Sequence, residues 1–97
     1  MNTIKVEGKN RNNHVLLFTL TLWKRCKMTK EYLIEHDIAF EYVDVVTVSE
    51  EDRREIFDTL VSMTIPVGFP VSIIDDTVVM SGYHPDELKD ALKIANA

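Results

Sequence analysis

Apolar and polar positions along this chain change period several times, and each change marks an element. His14-Val15-Leu16-Leu17-Phe18-Thr19-Leu20 is an almost unbroken apolar run, rich in branched and aromatic side chains. Such a run reads as a strand buried on both faces. From Lys24 to His36 the period lengthens to that of a helix, with Cys26, Thr29 and Leu33 on one inward stripe. Lys27 and Glu31 stand one turn apart on the outer side, placed to pair. Ile38 to Val46 reads as a second strand through Phe40, Tyr42, Val43 and Val45. Ser49 then caps a helix whose first turn holds Glu50, Glu51 and Asp52, acids that suit the positive end of a helix dipole. Ile56, Phe57, Leu60, Val61 and Met63 form its expected buried face.

After Pro66 and Gly68 the pattern shortens. Phe69 to Ile74 and Thr77 to Met80 are brief apolar runs joined by Asp75-Asp76, which reads as a tight hairpin turn. The last helix opens at His84-Pro85-Asp86-Glu87, with proline in the first turn, where its missing N–H does no harm. Leu88, Ala91, Leu92 and Ala95 make its apolar stripe. Strand and helix alternate and a hairpin follows, an α/β order of βαβαββα with a parallel βαβ unit at its start. The expected domain runs over residues 14–97, preceded by a polar lead-in, Met1 to Asn13, with only Ile4 and Val6 to anchor it.

Ninety-seven residues suit one core and leave no room for a second. The net charge of −5 opposes binding to nucleic acid or to an anionic membrane surface, both of which need clustered cations. No apolar run approaches the length of a membrane helix, and the first residues lack the apolar centre of a secretion signal; a cytoplasmic protein is expected. One cysteine, Cys26, excludes an internal disulfide. His14, His36 and His84 are too scattered for a metal-ligand pattern and read as surface or capping residues.

The local sequence resembles the glutaredoxins. Phe18-Thr19-Leu20-Thr21-Leu22 leading into Cys26-Lys27-Met28-Thr29-Lys30-Glu31-Tyr32-Leu33 is similar to their first strand and helix. So are Phe40-Glu41-Tyr42-Val43-Asp44-Val45, Gly68-Phe69-Pro70 and Ser81-Gly82-Tyr83, so that the likeness spans about Val15 to Leu92. It implies a thioredoxin-like fold, with a four-stranded mixed sheet and helices on both faces. Val15–Leu20 would be central, parallel to Phe40–Val45 and antiparallel to Val71–Ile74.

In that family a Cys-x-x-Cys opens the first helix, where dipole and free N–H groups stabilise the attacking thiolate and the second cysteine resolves the mixed disulfide. The four positions here are Trp23-Lys24-Arg25-Cys26. The resemblance thus puts tryptophan at the nucleophile's place and makes Cys26 the resolving thiol. Pro70 corresponds to the family's cis-proline, beside which the backbone of Phe69 would pair with a bound peptide or glutathione. Gly82 and Tyr83, ahead of the last helix, would complete the groove. Members that use glutathione often carry lysine three residues before the nucleophile; Leu20 stands there, which argues against glutathione as a ligand. No other cofactor is implied.

Two readings stay open for each of these residues. Cys26 is a packed, inert side chain, or a working thiol activated by Lys24, Arg25 and Lys27. Trp23 is a packed aromatic at a loop–helix junction, or a binding platform. Lys24, Arg25, Lys27 and Lys30 are a solvated helix face, or a docking patch for an acidic partner or small anion. The expectation is a glutaredoxin-like domain that has lost its nucleophile and binds a protein, or a small thiol or peptide, through the old groove. The alternative is a thiol–disulfide oxidoreductase working through Cys26 alone.

Overall fold

Strand β2, Val15–Thr19, lies at the centre of the sheet because it carries apolar side chains on both faces. A computed structural model of the chain describes residues 2–63 and 68–94. Pro66, and Ala95 of the last apolar stripe, lie outside the described residues. Around β2 stand β1 (Ile4–Val6), β3 (Phe40–Asp44), β4 (Val71–Ile74) and β5 (Val78–Ser81), in the spatial order β1-β3-β2-β4-β5. Helix α1 (Lys24–Glu35) links β2 to β3, α2 (Glu50–Ser62) follows β3, and α3 (Pro85–Leu92) closes the chain's described part. β2 runs parallel to β3, with Leu17 opposite Tyr42, and antiparallel to β4, with Leu17 opposite Ser72.

The side chains of β2 divide between two cores. Val15 and Leu17 join Leu33 of α1 and Leu88 and Leu92 of α3 on one face. Phe18 joins Ile56 and Leu60 of α2, with Val43, Val71 and Ile73, on the other. Each such large apolar side chain, fully buried, contributes roughly 1.5–3 kcal/mol. Cys26, Thr29 and Leu33 are the buried stripe of α1, as their spacing predicts. No helix among the described residues is long and apolar enough to cross a membrane.

The sheet has five strands, not the four expected. Residues of the supposed lead-in supply β1, which pairs antiparallel with β3 and sets Val6 opposite Phe40. Lys9 N–H donates to Asp37 Oδ1, and the Asn10 backbone exchanges two 2.9 Å hydrogen bonds, with Asp37 and Ala39. A three-residue strand with polar neighbours carries too little periodicity to read in advance. The tight contact at Gly8 explains why this segment stays close. A Cβ there would lie 2.6 Å from Ala39 N and 2.6 Å from Ile38 C, both backbone atoms that cannot swing away.

Smaller differences have local causes. Val61 is 66% exposed, so it lies off the buried face of α2 and only Ile56 and Leu60 are fully enclosed. Among the described residues no ion pair joins Lys27 to Glu31. Lys30 instead sets its Nζ 3.8 Å from the centroid of the Tyr42 ring. The hairpin turn is Asp75–Thr77, with Asp75 and Asp76 both at positive φ, a conformation aspartate tolerates better than most residues. Asp75 also receives the His14 N–H at 2.8 Å and the Asn13 side-chain amide at 2.6 Å. These donors, the Asn13 side chain first, hold its carboxyl below the usual 3.8.

Two outcomes follow. Gly8→Ala should lower unfolding free energy by about 1–3 kcal/mol in urea titration, since backbone rather than side chain must yield; an unchanged midpoint would refute the close approach. Asp75 has a depressed folded pKa, so its contribution is present above pH 3.8 and lost as pH falls through the lower value. Asp75→Asn should therefore flatten the acid limb of the stability curve, measured by circular dichroism at stepped pH, and a limb as steep as wild type would refute this.

Candidate functional site

The site forms where β2 ends and α1 begins. Leu20 leaves the sheet, and its carbonyl accepts the Trp23 N–H at 3.1 Å, closing a turn that aims the chain into the helix. Trp23 is the N-cap residue, extended at φ −87° and ψ 127°, and its side chain caps nothing. Its carbonyl accepts the Lys27 N–H. The indole is 52% exposed.

Three residues on, Cys26 faces inward and is 1% exposed. Its Sγ accepts the Leu20 N–H at 3.4 Å, so the same residue that closes the turn also holds the sulfur. Burial pushes the thiol pKa up from its ordinary 9.0. The Leu20 N–H and the Lys30 charge oppose that rise, in that order, and Asp44 adds to it.

Phe69 and Pro70 approach Trp23 from across the sheet. The Phe69–Pro70 peptide is cis. The Phe69 ring meets the Trp23 indole edge to face, centroids 6.4 Å apart, and meets Phe57 of α2 the same way at 6.2 Å. This loop is pinned from β5: Ser81 Oγ donates to the Gly68 carbonyl at 2.9 Å, and the Gly82 N–H donates to the Pro70 carbonyl at 2.8 Å. Gly82 sits at φ 93°, a conformation that favours glycine. His84 Nε2 lies 2.8 Å from the Ser81 carbonyl, which only accepts, so that nitrogen carries the proton.

Trp23, Phe69, Pro70 and Gly82 are thus brought into one chain of contacts. Lys24 lies beside Trp23 and lines a cleft with it and Cys26. Arg25 is exposed on the first turn of α1, where its carbonyl accepts the Thr29 hydroxyl. Burial first, then Tyr83 and Asp86, push the pKa of the Tyr32 hydroxyl on α1 up. Phe57, the third ring, and Asp44, beside the thiol, were missed in the sequence. Phe57 read only as core, and nothing in one sequence ties position 44 to position 26. Among the described residues no group of three or more His, Cys, Asp and Glu is placed to hold a metal ion.

A model of the family described as glutaredoxin matches residues 15–79. The chain belongs to the glutaredoxin family. It is also 32% identical over 66 residues to the glutaredoxin-like protein NrdH of Lactococcus lactis subsp. lactis (strain IL1403), covering 66% of this chain and 79% of that protein. Among solved structures it is similar to the glutaredoxin from Methanosarcina mazei Go1, at 26% identity and TM-score 0.83 over 93% of this chain and 86% of the other. Methanosarcina acetivorans methanoredoxin superposes with TM-score 0.75 at 26% identity, over 81% and 83%. The fold is therefore the thioredoxin-like glutaredoxin fold, here with one cysteine in the whole chain.

What this glutaredoxin's thiol can do is limited by access and charge. A thiol nucleophile reacts as the thiolate, and both enclosure and a raised pKa reduce that form. Iodoacetamide should therefore alkylate Cys26 at least about tenfold more slowly in native than in urea-unfolded protein, with a pH midpoint above 9.0. Equal rates, or a midpoint below that value, would show an activated thiol.

Proposed function

We propose that this glutaredoxin-family chain has left dithiol exchange and serves as a binding domain. Its groove is bounded by Trp23, Lys24, Arg25, Phe69, Pro70, Gly82 and Tyr83. Its partner would be a protein, or a small thiol or peptide. One observation carries the reading: the exposed residue at the start of α1 is an indole, while the chain's single thiol is enclosed one turn deeper. In the family's arrangement Trp23 takes the place of the attacking cysteine, and an indole supplies no thiolate. Trp23 against Phe69 offers an aromatic wall, the kind of anchor that concentrates binding energy. Leu20 in place of lysine disfavours glutathione as the occupant.

A second reading, a thiol–disulfide oxidoreductase using Cys26 alone, draws support from the Leu20 N–H and the nearby Lys30 charge, both of which favour a thiolate. It requires the helix start to open far enough for a disulfide to reach the sulfur.

Reduction of a small mixed disulfide by wild type, Trp23→Cys and Cys26→Ser separates the two, with a dithiol reductant run beside glutathione. Wild type should stay near background. Trp23→Cys should rise at least about tenfold above it, since a cysteine at a helix N-terminus is in the field that stabilises a thiolate. Turnover by wild type that Cys26→Ser abolishes would overturn the binding reading and make Cys26 the nucleophile.

A further inference from the structure

On one flank of the Trp23 turn lies a cleft of about 330 Å³ lined by Thr21, Leu22, Trp23, Lys24, Cys26, Lys27 and Lys30. None of Phe69, Pro70, Gly82 or Tyr83 lines it, so it shares Trp23 and Lys24 with the groove. The volume is at the small end for ligand pockets, room for an anchoring side chain rather than a cofactor. Two features of the lining stand out. The protein carries net charge −5, yet three lysines line this cleft, with Arg25 next to Lys24 in sequence and, at the cleft's edge, the Lys30 ammonium resting over the Tyr42 ring. Among the described residues the ion pairs are Arg11–Glu7 and His14 with Glu41 and Asp76, so no carboxylate neutralises these cations. They also stand on the first two turns of α1, where positive charge opposes the helix dipole. Beside them Leu22 is 95% exposed and Trp23 half exposed, the rim of an apolar anchor site.

We infer that this cleft docks an acidic peptide segment of a partner protein. An apolar side chain of the segment seats against Leu22 and Trp23, and flanking carboxylates pair with Lys24, Lys27 and Lys30. Charge complementarity selects the acidic flank, and the exposed leucine and indole select an apolar residue at its centre rather than a bare anion. The inference rests on the binding reading and extends it to the partner's chemistry; the cleft shares Trp23 and Lys24 with the groove, so variants at Lys27 and Lys30 on one side and at Tyr83 on the other tell the two failures apart.

Trp23 is the chain's one tryptophan and reports on the cleft directly. The probe is a synthetic peptide, Asp-Glu-Asp-Phe-Glu-Asp, titrated into the full chain with indole emission as readout, beside a version with Ala for Phe. The Phe peptide should shift the emission to the blue, weaken as salt rises, and bind more tightly than the Ala version. Lys27→Gln with Lys30→Gln should weaken it about three- to tenfold, as expected for losing two charge pairs at the surface; Lys27 is exposed and Lys30 half-buried against the Tyr42 ring, and circular dichroism checks the fold. Tyr83→Ala, which alters the groove, should leave binding unchanged. No emission change, or affinity untouched by the lysine substitutions, would overturn the inference. Equal binding of the two peptides would make the cleft a simple oxyanion site and also overturn it. Loss on Tyr83→Ala equal to that of the lysine variant would place the peptide in the groove instead.

Discussion

The burial of β2 on both faces is the constraint on which the rest of this molecule depends. A strand with one polar face has its register set by alternation, because a slip of one residue would bury the wrong side. β2 lacks that protection, since Leu16 and Phe18 are as apolar as Val15 and Leu17. Its register is held at the ends. The His14 N–H and C=O both bond Asp75, the first to the carboxylate and the second to the backbone. At the other end the Thr19 carbonyl accepts the Val45 N–H. Between these ties, Leu20 has one place to go.

From that place the site is built with few further choices. Leu20 offers its carbonyl to Trp23 and its N–H to Cys26, so the turn and the sulfur are indexed to the end of the strand. The opposite wall is indexed in the same way, because β4 pairs with β2 and the loop before it is tied to Ser81 and Gly82 of the hairpin. Trp23 and Phe69 meet because two strands in fixed register deliver them to the same end of the sheet. The backbone ties of this frame run through Leu20, Ser81 and Gly82, while the Trp23 indole supplies one of the two rings that meet there.

Periodicity made the central architecture legible, as the particular elements show. The apolar run of β2, the stripe of Cys26, Thr29 and Leu33, and the Ser49 cap with three acids after it each express one physical demand through several residues. Ser49 Oγ does accept the Asp52 N–H at 3.1 Å. β1 was not legible, because its place comes from a backbone approach at Gly8 and from pairing partners more than thirty residues away. Val61 was misassigned because it sits where the apolar stripe of α2 turns outward, and one residue of drift separates core from solvent. At the site, the family likeness picked out Trp23, Phe69 and Pro70. The hold of Leu20 on the sulfur and the third ring, Phe57, depend on tertiary placement that no local pattern records.

The two helix starts at this end of the molecule make a final contrast. α2 begins with a serine cap and three carboxylates, arrangements worth about 1 kcal/mol for the cap and some tenths for each well-placed charge. α1 begins with an indole that caps nothing, no acid in its first turn, and Lys24, Arg25 and Lys27 set against the dipole. Both helices belong to one short chain that has acids in excess, so the composition supplies what a better α1 start would need. Substituting Asp at position 23 would cap the helix and neutralise part of the field, and would remove the aromatic wall that Phe69 packs against. The weaker start is therefore the one that keeps an aromatic face and a positive field exposed together.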